Sequence, residues 1–303
     1  GLGSATLSGQ SRRYQSQVNG FDNLQIVTGV GMMNFLGDLG GANDIGRSFL
    51  ADWEWEALRP NFQIGVRYQW HRWVATKAFL NYGWITGDDA WTQDEARNYR
   101  NLSFRSHVMD WGLQAEFYFL PNLPQKGRYR RRGVRGRGGR PVLGYVFTGI
   151  NGFWFDPTAV APSNGNSYSL QPLGTEGQFV LPTRDPYSLV QVALPVGVGF
   201  SFRFSDDISL NVEVSYRRSF TDYMDDVSST YVNPALFEDP IAAELSYYTQ
   251  AYYTDPEFPG DNPLSGPGQQ RGNPQDNDVY MYLQFNLCWN LGIFDDSKPK
   301  YPK

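Results

Sequence analysis

From Phe62 to Trp70 apolar residues fall on positions 62, 64, 66, 68 and 70, while Gln63, Gly65, Arg67 and Gln69 stand between them. A period of two over nine residues predicts an extended strand with one apolar and one polar face. The turn His71-Arg72-Trp73 leads into a second run, with Thr76, Ala78, Leu80, Tyr82 and Trp84 on one side and Lys77 and Asn81 on the other. The third runs over 109–119, setting Met109, Trp111, Leu113, Ala115, Phe117 and Phe119 against Asp110, Gly112, Gln114, Glu116 and Tyr118. Weaker alternation marks 143–154. Clear alternation returns at 190–202, at 208–216 and at 279–289, and a less regular first strand is expected near 24–33. The pattern predicts eight strands.

The connections sort into two kinds. Those after the second, fourth and sixth strands are 71–73, 121–140 and 205–207. Those after the odd-numbered strands are long, roughly 36–60, 86–101, 155–187 and 222–277. Short and long connections alternating along an even number of amphipathic strands predict an all-β fold. It is an eight-stranded antiparallel transmembrane outer-membrane β-barrel with short periplasmic turns and long extracellular loops. A soluble barrel alternates too, but points its apolar side inward and rarely carries such long loops. Tyr68, Trp70, Trp73, Trp84 and Trp289 fall where strands leave the hydrocarbon, as interfacial girdles do. The expected organisation is one domain over 1–303, with a periplasmic N-terminal segment 1–23, a basic periplasmic turn 121–140, a long acidic extracellular loop 222–277 and a periplasmic tail 293–303.

Composition narrows this further. Aromatics are 16% of the chain and glycines number 32, while no apolar run reaches the length of a membrane helix. Cys288 is the single cysteine, so no intrachain disulfide forms. The chain opens at Gly1 without a leader, which has the look of a processed chain.

Five stretches carry a family resemblance: Asn34-Phe-Leu-Gly-Asp-Leu39, Ile85-Thr-Gly-Asp-Asp89, Asn101-Leu-Ser-Phe-Arg-Ser106, Leu170-Gln-Pro-Leu-Gly-Thr-Glu-Gly-Gln178 and Tyr216-Arg-Arg-Ser-Phe-Thr-Asp-Tyr-Met-Asp-Asp226. They resemble the PorG-type outer-membrane proteins of the Bacteroidetes type IX secretion system, in order across 24–235 and again at the last strand. The resemblance implies a small non-enzymatic barrel that anchors the periplasmic ring subunits of the secretion and gliding machinery to the outer membrane. The basic 121–140 and the acidic 235–277 depart from the pattern and inherit no role. The rival reading is a passive structural or small-solute barrel of the OmpA or OmpW kind.

Net charge is −5, yet the run 126–140 holds eight basic side chains and no acidic one: Lys126, Arg128, Arg130, Arg131, Arg132, Arg135, Arg137 and Arg140. At the periplasmic mouth it reads as a docking arm for an acidic partner. Attraction to outer-membrane lipid headgroups and a partnerless solvated turn are the alternatives, and nucleic acid is not expected there. Parity turns Arg67, Lys77, Asp110, Glu116, Glu213 and Arg217 into the lumen, where they read as a structural plug of paired charges rather than a solute path. His71 and His107 have no serine or cysteine partner by position, so no catalytic set, metal or cofactor is expected. Asp222, Asp225 and Asp226 lack EF-hand spacing and read as a solvated loop. The loop 222–278 carries eleven Asp and Glu against Arg271 alone and reads as mobile or irregular.

Overall fold

The computed structural model describes residues 23–39, 56–91, 100–120, 142–205, 207–246 and 266–291. The basic run 126–140, the tail 293–303, nearly all of 1–23 and the middle of the last long loop lie outside the described residues. The strands are β1 Leu24–Leu36, β2 Arg59–His71, β3 Val74–Asp88, β4 Ser103–Leu120, β5 Val142–Val160, β6 Ser167–Ser169, β7 Val190–Arg203, β8 Ile208–Ser219 and β9 Val279–Asn290. Each long strand pairs antiparallel with the next long strand, and β9 returns to β1 from Gln25↔Asn290 to Leu36↔Val279. Eight strands therefore close a barrel, and β6 adds a short hairpin partner to β5 outside the ring. Closure satisfies the backbone donors and acceptors within the ladder, the condition for crossing hydrocarbon with strands.

Burial decides which face meets what. Outward Leu113 is 62% exposed and Ile64 57%, whereas inward Lys77, Asp110 and Glu116 are fully buried. That is the reverse of a water-soluble barrel, and the chain is an outer-membrane β-barrel. Trp70, Trp73, Phe119 and Phe204 ring the end that carries the short turns, where amphipathic rings favour the headgroup level.

The strands β4 and β5 are 18 and 19 residues long, against the roughly 9–11 that cross a bilayer. They begin earlier and end later than the runs 109–119 and 143–154 because their outer ends obey the opposite alternation. Here Phe104, Val108, Phe153 and Phe155 point inward and are buried, with Ile85 of β3, while Arg105, His107, Asp156 and Thr158 point outward. Above the membrane the barrel is thus built like a soluble one, with its apolar side in. Met33, Phe35, Leu39, Met224 and Val227 join these rings in one apolar cluster that fills the outer end. A helix α1, Pro240–Ser246, packs Leu245 and Ile241 onto Ala159, Ala161 and Leu170 beside it.

The sequence reads the last loop as mobile or irregular; outside α1 its described parts are irregular in backbone, while 247–265 lie outside the described residues. Its described parts are packed, and Asp222, Asp225, Asp226, Arg271 and Asp278 are all buried. The carboxylates read as solvated are covered because loops from four hairpins stack over the barrel mouth.

Candidate functional site

Arg67 and Lys77 are direct partners across the β2–β3 ladder, both turned inward. Like charges opposite one another are unfavourable, so the pair requires anions from other walls. The opposite wall, β8, supplies Glu213, whose Oε2 lies 2.6 Å from Lys77 Nζ and whose Oε1 lies 3.2 Å from Arg67 Nη2. Arg67 Nε reaches Glu116 of β4 at 2.9 Å. Tyr145 OH donates to Glu213 at 2.6 Å and Tyr118 OH to Glu116 at 2.9 Å. The Tyr145 ring fits because residue 199 is glycine; a Cβ there would fall 2.3 Å from the ring.

Nearer the outer end a second cluster joins Arg217 to Asp110. The guanidinium lies over the rings of Tyr282 (4.4 Å) and Phe79 (4.8 Å). Asn151 Nδ2 and Tyr282 OH donate to Asp110 at 3.1 and 3.2 Å. The structure thus gathers Arg67, Lys77, Glu116 and Glu213 in one cluster and Asp110 with Arg217 in another, three cations against three anions. Parity alone exposed these six in the sequence. The tyrosines that complete the clusters share that parity, but a phenol carries no formal charge to single it out.

With both clusters seated and the apolar cluster above them, the folded chain should give no stable channel in planar-bilayer recordings. A reproducible pore of porin-like conductance would contradict the packing of the lumen. At the periplasmic end the lumen opens as a polar cavity of about 250 Å³, whose lining includes Arg67, Arg72, Tyr118, Arg203 and Asp207.

The extracellular end is more elaborate. The five stretches that carry the family resemblance converge here. Arg100 grips Asp89 with two hydrogen bonds of 2.7 Å and donates to the Asp38 carbonyl at 2.6 Å. Arg271 pairs with Glu176 at 3.0 Å. Glu176 in turn accepts from Ser228 N at 2.9 Å and from Ser229 Oγ at 2.6 Å. Asp226, with a left-handed φ of 65°, accepts from Thr175 Oγ1 and Tyr187 OH. Arg100 Nη1 also donates to the Arg271 carbonyl, so all four long loops are cross-tied, and one of the tie points, Asp226, is a group that the sequence places in a solvated loop.

Beneath them lies a group of aspartates. Asp225 accepts from Leu39 N (2.9 Å) and Val227 N (3.0 Å), Asp278 Oδ2 from Met224 N (2.7 Å), and Asp38 Oδ2 from Asn273 N (2.5 Å). Burial pushes Asp222 up to about 8, with Asp38 adding repulsion. Burial first, and the neighbouring aspartates second, hold Asp225 and Asp278 well above the usual carboxylate range. Burial also raises Asp226, to about 6, with Arg271 opposing it. Arg100 moves up: burial works against its charge, but Asp89 outweighs it.

His107 sits on the outer wall with its Nδ1 3.1 Å from Tyr82 OH, beside Trp84; His71 is exposed at the end of β2. Lys126, Arg128, Arg130, Arg131, Arg132, Arg135, Arg137 and Arg140 lie outside the described residues.

The family described as Domain of unknown function (DUF6089) matches residues 11–234. No curated protein matches the chain. Among solved structures the chain is similar to Neisserial surface protein A (9% identity, 88% of this chain and 97% of that chain, TM-score 0.39). It is similar also to the attachment invasion locus protein Ail of Yersinia pestis (8%, 88% and 97%, TM-score 0.34). A third likeness is to the outer-membrane protein OprG of Pseudomonas aeruginosa (8%, 89% and 98%, TM-score 0.36).

Proposed function

The chain belongs to the family described as Domain of unknown function (DUF6089), and from that premise we propose that it is a non-enzymatic outer-membrane component of the type IX secretion and gliding machinery, anchoring the periplasmic ring. The observation that carries this reading is the filled lumen, in which Arg67, Lys77 and Arg217 are neutralised by Glu116, Glu213 and Asp110. A barrel so filled works through its surfaces rather than through a pore. The resemblance of its loop and strand-end stretches to the PorG-type proteins supplies the machine. Eight basic side chains in 126–140 supply a docking arm at the periplasmic face, where an acidic ring subunit would be held by charge.

Replacing Arg130, Arg131, Arg132, Arg135 and Arg137 with Ser should reduce recovery of ring subunits in mild detergent, and secretion with it. Heat-modifiable gel mobility should show the barrel still folded, because β4 ends at Leu120 and β5 begins at Val142, so the substituted positions belong to neither strand. Recovery from the unaltered chain should fall with added salt, since screening shortens the reach of charge to about 8 Å at physiological ionic strength. A folded variant that keeps its partners at the original level would leave 126–140 a solvated turn. Recovery of the unaltered chain as an isolated monomer would favour the passive OmpA or OmpW kind of barrel instead.

A further inference from the structure

The outer wall changes character between neighbouring outward residues of β4. Leu113, Trp111 and Met109 face lipid, and the next two outward positions are His107 and Arg105. Across the ladders Trp84 and Asp156 flank His107, and Thr86 and Thr158 flank Arg105. The wall is one continuous surface, so these groups stand where hydrocarbon gives way to headgroups, the level that Tyr and Trp favour. We propose that Trp84, Arg105 and His107 form a binding site for the phosphate of an outer-leaflet lipid headgroup.

Arg105 is exposed, but its side chain is placed. The guanidinium lies over the Trp84 ring at 5.2 Å, so it leans from the level of Thr86 toward the membrane. Among the described residues it forms no ion pair. Two carboxylates stand near it on the wall, and each is engaged away from it. Asp88 Oδ1 accepts from Ala90 N at 2.9 Å, back in its own turn. Asp156 Oδ2 accepts from Ser169 Oγ at 3.1 Å, on β6, which lies across β5 from Arg105. The planar fork of donors is thus kept for an anion from outside, and it matches phosphate with two parallel hydrogen bonds. The indole face behind it favours the cation and restricts its side chain before anything binds.

His107 closes the site on the membrane side. Its ring stacks on Tyr82 at 6.0 Å and tilts against Trp84 at 6.4 Å, and its Nδ1 is 3.1 Å from Tyr82 OH. A phenol that donates to Nδ1 puts the imidazole proton on Nε2, a second donor on the face that carries Arg105. The occupant follows from the place. The site continues the lipid-facing wall without a break, and a lipid fills both parts at once, its acyl chains beside Met109 and Trp111 and its phosphate on Arg105.

The test uses the full chain folded in detergent, with folding of every variant checked by heat-modifiable gel mobility. Lipid A, a phosphorylated glycolipid, is titrated in from mixed micelles, and bound lipid is read by native mass spectrometry. Retention should saturate, and enzymatically dephosphorylated lipid A should be retained far less. Arg105→Ala and Trp84→Leu should each weaken retention by about tenfold or more, the scale of a lost hydrogen bond to a charged group, and Trp84→Phe should weaken it less because a ring remains. Arg218→Ala removes an exposed outward arginine from β8, opposite Leu194, and should leave retention unchanged. The proposal fails if the two lipids are retained alike, or if Arg218→Ala weakens retention as much as Arg105→Ala, which would leave only general attraction of charge. It fails also if inorganic phosphate at the same concentration displaces the lipid, since the site would then serve the free anion.

Discussion

Glu213→Ala should destabilise the folded barrel by about 3–5 kcal/mol, the range found when one partner of a buried ion pair is removed. Glu213 is shared between two cations that sit side by side on β2 and β3. Without it Arg67 keeps Glu116, but Lys77 Nζ loses its ion-pair partner and keeps the Phe147 ring at 5.9 Å. Lys77 cannot move to water, because it is fully buried in the lumen. Urea unfolding in detergent, followed by tryptophan fluorescence, measures the loss. Lys77→Met combined with Glu213→Leu removes the charges together, and the double variant should be markedly more stable than Glu213→Ala alone. A cost below about 1 kcal/mol for Glu213→Ala, the scale of an exposed pair, would show that water reaches the cluster.

On the other face, Leu113→Arg or Val196→Arg should cost about 2–4 kcal/mol, because a charge near mid-strand meets hydrocarbon there. Leu113 is 62% exposed and Val196 52%, so nothing in the protein itself resists the larger side chain. The penalty comes from the lipid. Gln114→Arg, one residue from Leu113 but pointing into the polar lumen, should differ from both in size and origin. Unfolding of the three variants in lipid vesicles compares them, and equal tolerance at all three sites would mean the assigned lipid face is wrong.

The membrane zone was legible in the sequence for a physical reason. Residues 62–70 alternate without interruption because one side of β2 meets lipid and the other a polar lumen. The same parity turned Arg67, Lys77 and Glu213 inward before any contact between them was visible. The extracellular zone was not legible, because its alternation runs in the opposite phase. Phe104 and Val108 continue the inward side of β4 as apolar residues, while Arg105 and His107 take the outward side, so a search for one phase ends at 109. Asp222, Asp225 and Asp226 read as solvent-exposed because acidity in a loop normally marks contact with water. Their burial depends on Arg100 and Glu176, which arrive from other loops, and on Arg271 at the far end of their own, and none of these has a fixed spacing to them in the chain.

The reversal of alternation along β3, β4 and β5 also sets the depth at which the molecule floats. Pushed outward, the barrel would lift Leu80, Trp111 and Leu113 into water; drawn inward, it would drag Arg105 and Asp156 into hydrocarbon, where the cost of a charge rises with depth. Both displacements are uphill, so the barrel has a waterline rather than a sliding fit. Its inner rim therefore stands at a constant height above the periplasm, and a load applied there is passed to the bilayer instead of being lost as vertical play.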